Sequence, residues 1–152
     1  MRINVTFQVA RCPDDVWAFS VDPMAQKKWD RSVADVEITS PPPFGLGSSF
    51  STIGPARRGR GGIVTSYQVT EFEPTTHATV AVIDSPTLRR AVWDFTFTPD
   101  GHGTHVEWNI ELVPRPRYFP LGLVLRLNRA QLVRDTRWFR QALDEECSGA
   151  DG

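Results

Sequence analysis

Cysteine is nearly missing from this chain, which has only Cys12 and Cys147, near opposite ends. Two thiols so placed make neither a CxxC pair nor a disulfide framework, and that predicts a reducing, cytoplasmic setting. Histidine is almost as scarce. No two of His77, His102 and His105 have the spacing that puts two imidazoles on one metal, so no metal is expected. Long apolar runs are lacking as well: the richest stretch, around 120–127, falls far short of the roughly 20 residues of a membrane span. The first residues lack the basic segment and apolar run of a signal peptide. Nor does one sign of charge dominate, since 17 Lys and Arg against 18 Asp and Glu leave a formal net charge of −1. No whole-molecule field therefore draws the chain to nucleic acid or to an anionic membrane. Nucleophilic catalysis has no signature either, with no GxSxG elbow and neither cysteine near a histidine in sequence. ARRGRGG at 56–62 lacks the Gly-Lys-Ser/Thr ending of a phosphate loop and reads as a solvated hairpin tip.

What is present is aromatic. Five tryptophans and nine phenylalanines in 152 residues suggest either large interior spaces to fill or a pocket lined with rings. The length fits one domain with a sizeable core, assigned to residues 1–146, with CSGADG at 147–152 as a flexible tail.

Residues 2–10 alternate, with Ile3, Val5, Phe7 and Val9 on one face of a half-buried strand. Pro13 opens a short helix with acidic residues in its first turn and Val16, Trp17 and Phe19 on its apolar side. Pro23 opens a second short helix that ends near Trp29. VADVEITS alternates again, with Ala34, Val36 and Ile38 in one phase. PPPFGLG cannot continue a strand because its three prolines remove three donors, and SSFSTI resumes the extended chain. IVTSYQVTEFEP, THATVAVID, LRRAVWDFTFTPD and THVEWNIELV read as four strands. The turns EPTT, DSPT and PDGHG join them as antiparallel hairpins. In the last strand Val106, Trp108, Ile110 and Leu112 point inward, and Glu107, Asn109 and Glu111 outward. A long helix over 121–145 follows, with Leu121, Val124, Leu125, Leu132, Phe139 and Leu143 on one face. Asn128 and Asp135 share that face, where an amide and a carboxylate do not belong in a dry core.

This order resembles the Bet v 1-like helix-grip fold, and within it the START-like (SRPBCC) superfamily in its polyketide cyclase/dehydrase-like branch. The likeness is carried by PDDVWAFSVDPMAQKKW, by GLGSSF at 45–50, by YQVTEFEP at 67–74 and by FTFTPDGHGTHV at 95–106. It covers nearly the whole chain. It implies an α+β architecture: a curved antiparallel sheet of six or seven strands wrapped around the long C-terminal helix, with two short helices after the first strand.

A sheet gripping a helix leaves a cavity wherever the facing side chains do not fill the space, and polar groups on the stripe can then meet water or a ligand. The candidate lining is Trp29, Tyr67, Trp93, Trp108, Asn128 and Asp135, an apolar pocket with a few polar anchors. Strand phase sets Tyr67 beside Ile63 and Val69, and Trp93 beside Ala91, Phe95 and Phe97. Arg89 shares the phase of Trp93 and either pairs with Asp135 or turns to solvent.

Three functions compete. In the first, the cavity binds a small hydrophobic or aromatic molecule without a cofactor, in a monomer or homodimer. In the second, a cyclase or dehydratase uses Asp135 and Tyr67 as its acid and base. In the third, the pocket is vestigial and the 115–125 segment meets a partner. The residues imply no nucleic acid and no integral membrane association.

Overall fold

The computed structural model describes residues 1–118 and 129–150. Asn128 and most of the 115–125 segment lie outside them.

Seven strands and three α-helices make up the described chain. They are β1 (Arg2–Val9), α1 (Pro13–Val21), α2 (Pro23–Trp29), β2 (Asp35–Ile38), β3 (Ser49–Ile53), β4 (Val64–Glu73), β5 (His77–Asp84), β6 (Leu88–Asp100), β7 (Gly103–Pro114) and α3 (Arg129–Ala150). The sheet runs β1-β7-β6-β5-β4-β3-β2, and every neighbouring pair is antiparallel. From β2 to β7 each strand pairs with its successor, as hairpin turns require. Only β1 pairs at long range, laying Ile3, Val5 and Phe7 opposite Ile110, Trp108 and Val106 of β7.

The expected alternation is clearest where it was cleanest in sequence. Val106, Trp108, Ile110 and Leu112 are buried almost completely, as are Val5, Phe7 and Val9. Leu132, Phe139 and Leu143 of α3 meet them in one continuous core that also takes in Val16, Trp17 and Phe19 of α1. Asp22 caps α2, its Oδ1 accepting from the Met24 amide at 3.0 Å, so the two short helices turn sharply into each other.

Several local expectations are corrected. On edge strand β2 only Val36 is buried, while Ala34 and Ile38 are exposed, because the strand has a single neighbour and one short helix packed against it. Ile63 precedes β4 and is 54% exposed, so it does not share a buried face with Tyr67. Register shifts follow Ser66 and Val69, and the second puts Val69 and Phe72, three residues apart, both into the interior. Of the two outcomes open to Arg89, exposure to solvent is the one observed, beside a third shift between Leu88 and Arg90. His77 opens β5, within the strand expected from THATVAVID. The last helix does not stop near Glu145: it continues through Ala150, and Cys147 packs against the core.

The ARRGRGG segment is a hairpin tip, with Arg57 and Arg60 bridged and Arg58 and Gly59 at φ of 50° and 71°. Below it Gly62 presses on Gly54 so closely that an added Cβ would lie 1.7 Å from the Gly54 carbonyl oxygen.

Candidate functional site

A cavity opens between the α1–α2 junction and the inner face of β3–β7. About 70 Å³ of it is available to the centre of a water-sized molecule, room for several waters or a small ring compound. Its helical side carries Ser20, Val21, Asp22, Pro23, Gln26 and Trp29. Phe50, Tyr67, Val69, Phe72, Val80, Trp93 and Trp108 are among the sheet residues opposite, and Phe139 of α3 joins them. The walls are mostly hydrocarbon and ring, the usual composition of a small-molecule site.

The rings are ordered by mutual contact. Trp29 stacks on Trp108 at 5.3 Å, and Phe139 meets both edge-on at 5.5 and 5.6 Å. Phe7 reaches Trp108 at 4.9 Å from the far side. Phe50 and Tyr67 stack at 5.3 Å, and Phe44 leans on Phe50. Cross-strand pairing explains the second stack, since Phe50 of β3 sits directly opposite Tyr67 of β4.

Of the six residues expected to line a pocket, Trp29, Tyr67, Trp93 and Trp108 are brought together here. Asn128 lies outside the described residues. Asp135 is buried on α3 but is not part of the described lining. The Nε2 of Gln131 donates to its Oδ1 at 3.2 Å. Burial, seconded by the charge of Asp30, pushes the Asp135 carboxyl up to about 6, against the Gln131 hydrogen bond and the Arg134 charge. Burial and the same Asp30 charge push the Tyr67 phenol up to about 12, against a side-chain hydrogen bond with Thr52. Tyr67 is thus a neutral donor at physiological pH. Asp30 links the two candidate acid–base groups electrostatically, and no pattern in the sequence singled it out. It closes α2, accepting from Gln26 Nε2 at 3.1 Å and from the Ser32 amide and hydroxyl at 2.9 and 2.6 Å.

Two polar groups of the lining stand out, one on Ser20, which the sequence did not single out, and one on Trp93, which it did. Ser20 Oγ and Trp93 Nε1 are buried with no hydrogen-bond partner among the described residues. Ser20 was legible only as the residue after Phe19 at the end of an apolar helix face. Phe72 escaped because a simple alternation from Tyr67 and Val69 leads to Glu71 instead.

Outside the cavity, His77 lies between Glu71, at 3.2 Å, and Asp94, with the Thr79 hydroxyl beside all three. Among the described residues no group of three His, Cys, Asp or Glu side chains is arranged to hold a metal, and no helix is long and apolar enough to cross a membrane.

Comparison with known proteins fits this geometry. A protein of Thermus thermophilus superposes with a TM-score of 0.77 at 15% identity, over 96% of this chain and 99% of that one. A START superfamily protein of Mycobacterium smegmatis gives 0.77 at 14% identity, over 95% and 97%. The di-domain ARO/CYC StfQ of the steffimycin biosynthetic pathway gives 0.73 at 16% identity, with 97% of this chain covering 51% of that protein. At such identities the likeness speaks for fold. No curated protein matches the chain in sequence. The model of the family described as polyketide cyclase / dehydrase and lipid transport matches residues 1–144, and with the helix-grip architecture it shows that the chain belongs to that family, a branch of the START-like, Bet v 1-like proteins.

Proposed function

We propose that this protein binds a small hydrophobic or aromatic molecule in the cavity between the sheet and its helices. The observation that carries the reading is the ring-walled cavity itself, kept open in a chain with enough aromatic side chains to have filled it. Membership of a family that generally binds hydrophobic ligands supports it. Trp29, Tyr67, Trp93 and Trp108 are the proposed contacts, with Tyr67 and Trp93 offering hydrogen-bond donors among apolar surfaces.

The cyclase or dehydratase alternative rests on Asp135, whose carboxyl near 6 suits proton exchange around neutral pH. Chemistry also requires reach, and Asp135 stands apart from the described lining, so binding is the better-supported role.

Native mass spectrometry tests the proposal. The protein purified without denaturation is expected to carry a small added mass that denaturation releases, and ring compounds are expected to raise the Tm of the emptied protein. Identical native and denatured masses, with a Tm indifferent to a panel of ring compounds, overturn it.

A further inference from the structure

Charge of one sign is concentrated on the hairpin between β3 and β4. From Ile38 to Thr70 the chain has no acidic residue, and its only cations are Arg57, Arg58 and Arg60. In a protein of formal net charge −1 this makes a local cationic pole. All three arginines are exposed, and none has an ion-pair, ring or side-chain hydrogen-bond partner among the described residues. The nearest acids in the strand register are Asp35, opposite Ile53 and bridged to Lys27 at 3.7 Å, and Asp84, opposite Ser66.

The turn holds the cations in a fixed array. Arg57 and Arg60 exchange backbone hydrogen bonds of 3.2 and 3.0 Å, so as a cross-strand pair their side chains leave the same side of the ribbon. Arg58 and Gly59 form the turn itself, at φ of 50° and 71°, a geometry that favours Asn or Asp followed by Gly. Gly59 fits that preference and Arg58 does not, since a long side chain is strained there. Arg58 therefore contributes charge at the apex rather than stability to the turn. Below it the Gly62–Gly54 contact pinches the two chains together and sets the direction of a thin ribbon.

Aliphatic side chains surround the root of this hairpin. Six large hydrophobics are exposed among the described residues, and three of them stand here: Ile63 at 54%, Val64 at 49% and Ile83 at 58%. Val64 lies opposite the half-buried Ile53, and Ile83 precedes Asp84 in the neighbouring strand. A solvated loop accounts for the arginines and not for the aliphatics. A nucleic acid accounts for them no better, because residues 54–64 carry no ring on which a base could stack. An anionic bilayer matches both groups. Its phosphates suit the forked guanidinium, and its acyl boundary takes up isoleucine and valine.

We infer that the β3–β4 hairpin docks this protein on an anionic phospholipid bilayer. Arg57, Arg58 and Arg60 meet headgroup phosphates, and Ile63, Val64 and Ile83 rest at the edge of the hydrocarbon. Docking is peripheral and reversible: each cation adds about fivefold to partition near an anionic surface, and three together add about a hundredfold. It does not depend on what the cavity binds.

Vesicle cosedimentation of the intact protein tests this. Vesicles of phosphatidylcholine and phosphatidylglycerol in equal parts are expected to bind the protein, and vesicles of phosphatidylcholine alone to bind it about a hundredfold more weakly. Raising the salt from about 0.05 to 0.5 M should release most of it. The triple variant Arg57→Gln, Arg58→Asn, Arg60→Gln is expected to bind the mixed vesicles about a hundredfold more weakly, with a Tm no lower than that of the wild type. Arg58→Asn alone suits the turn, reads the apical charge without threatening the fold, and should lose about fivefold. Ile63→Ser combined with Val64→Thr should also lose about fivefold or more, a loss that a contact made by charge alone would not show. No binding to the mixed vesicles, equal binding to the neutral ones, or full binding by the triple variant each overturns the inference. So does duplex DNA or polyglutamate that binds the wild type as tightly as the mixed vesicles do and is indifferent to the Ile63 and Val64 substitutions, since the hairpin would then read negative charge alone. None of these outcomes bears on ligand binding in the cavity.

Discussion

The two halves of the interior are built from the same residue types and behave differently. Under α3, the side chains of β1, β6 and β7 interlock: Phe7, Trp108 and Phe139 form a cluster of edge-to-face rings, and Trp108 is 2% exposed. Under α2, a smaller cluster of Val33, Val36 and Phe50 has Phe44, Tyr67 and Val80 against it, and of these Phe44, Phe50, Tyr67 and Val80 line the cavity. The first half is tied by the long β1–β7 ladder and a helix with its apolar stripe turned inward. The second is tied by a four-residue edge strand and a helix of seven residues. Two short elements bring too few side chains to fill the concavity of a curved sheet. The space left over is the candidate site.

The largest expected effect is in the packed half. Trp108→Ala is expected to cost about 3–5 kcal/mol in denaturant unfolding of the ligand-free protein, because four rings lose a shared neighbour. A loss below about 1 kcal/mol would show that the rings packed on Trp108 contribute little and would dissolve the contrast.

Overpacking sharpens it next. Ala91 is 1% exposed and lies outside the cavity, whereas Ala78 is equally small and buried but forms part of the wall. Ala91→Leu is expected to destabilise by about 1–3 kcal/mol. Ala78→Leu is expected to be nearly neutral in stability and to block ring compounds from binding, as thermal shift and titration would show. Equal costs at both sites would mean that the cavity has no room to yield.

Asp135 supplies a pH test within the packed half. Its folded value, about 6, lies above the ordinary 3.8, so the native state holds the proton more tightly than the unfolded chain does. Stability from this group is therefore fully present below about pH 4 and is lost as pH rises through 6. Asp135→Asn keeps an acceptor for Gln131 without the charge, and should stabilise by about 1–3 kcal/mol at pH 7.5. That gain should vanish near pH 4. A pH-independent difference would show that the carboxylate is solvated in the native state.

The smallest effect is expected at Tyr67. Tyr67→Phe keeps the stack on Phe50 and removes only a hydroxyl, so stability should change by less than about 1 kcal/mol. Binding of hydrocarbon probes should be unchanged, and a change of tenfold or more would give the phenol a direct role.

Much of the fold was legible because period-two alternation and turn chemistry are local properties. The inward set of β7, the apolar side of α1 and the hairpin order of β4–β7 follow from neighbouring residues alone. What escaped depends on partners distant in sequence. Nothing in YQVTEFEP announces that one residue is skipped between Val69 and Phe72, since a bulge is a property of the β4–β5 pair. Nothing in QKKWDRS marks Asp30 as the charge that acts on both Tyr67 and Asp135. Trp93 was legible as inward-facing, but that its N–H lacks a partner could be known only once its surroundings were placed.

The pairing of β1 with β7 has a consequence in time. Val5, Phe7 and Val9 leave the ribosome about a hundred residues before their partners Trp108, Val106 and Thr104. At ordinary synthesis rates of roughly 5–20 residues per second, that delay is on the order of 5–20 s. The β2–β7 meander can form by successive short-range closures, while β1 must wait with its apolar face uncovered. The wall bearing Trp108 is therefore the last part of the sheet to be sealed, and a nascent chain exposes an aggregation-prone strand until then.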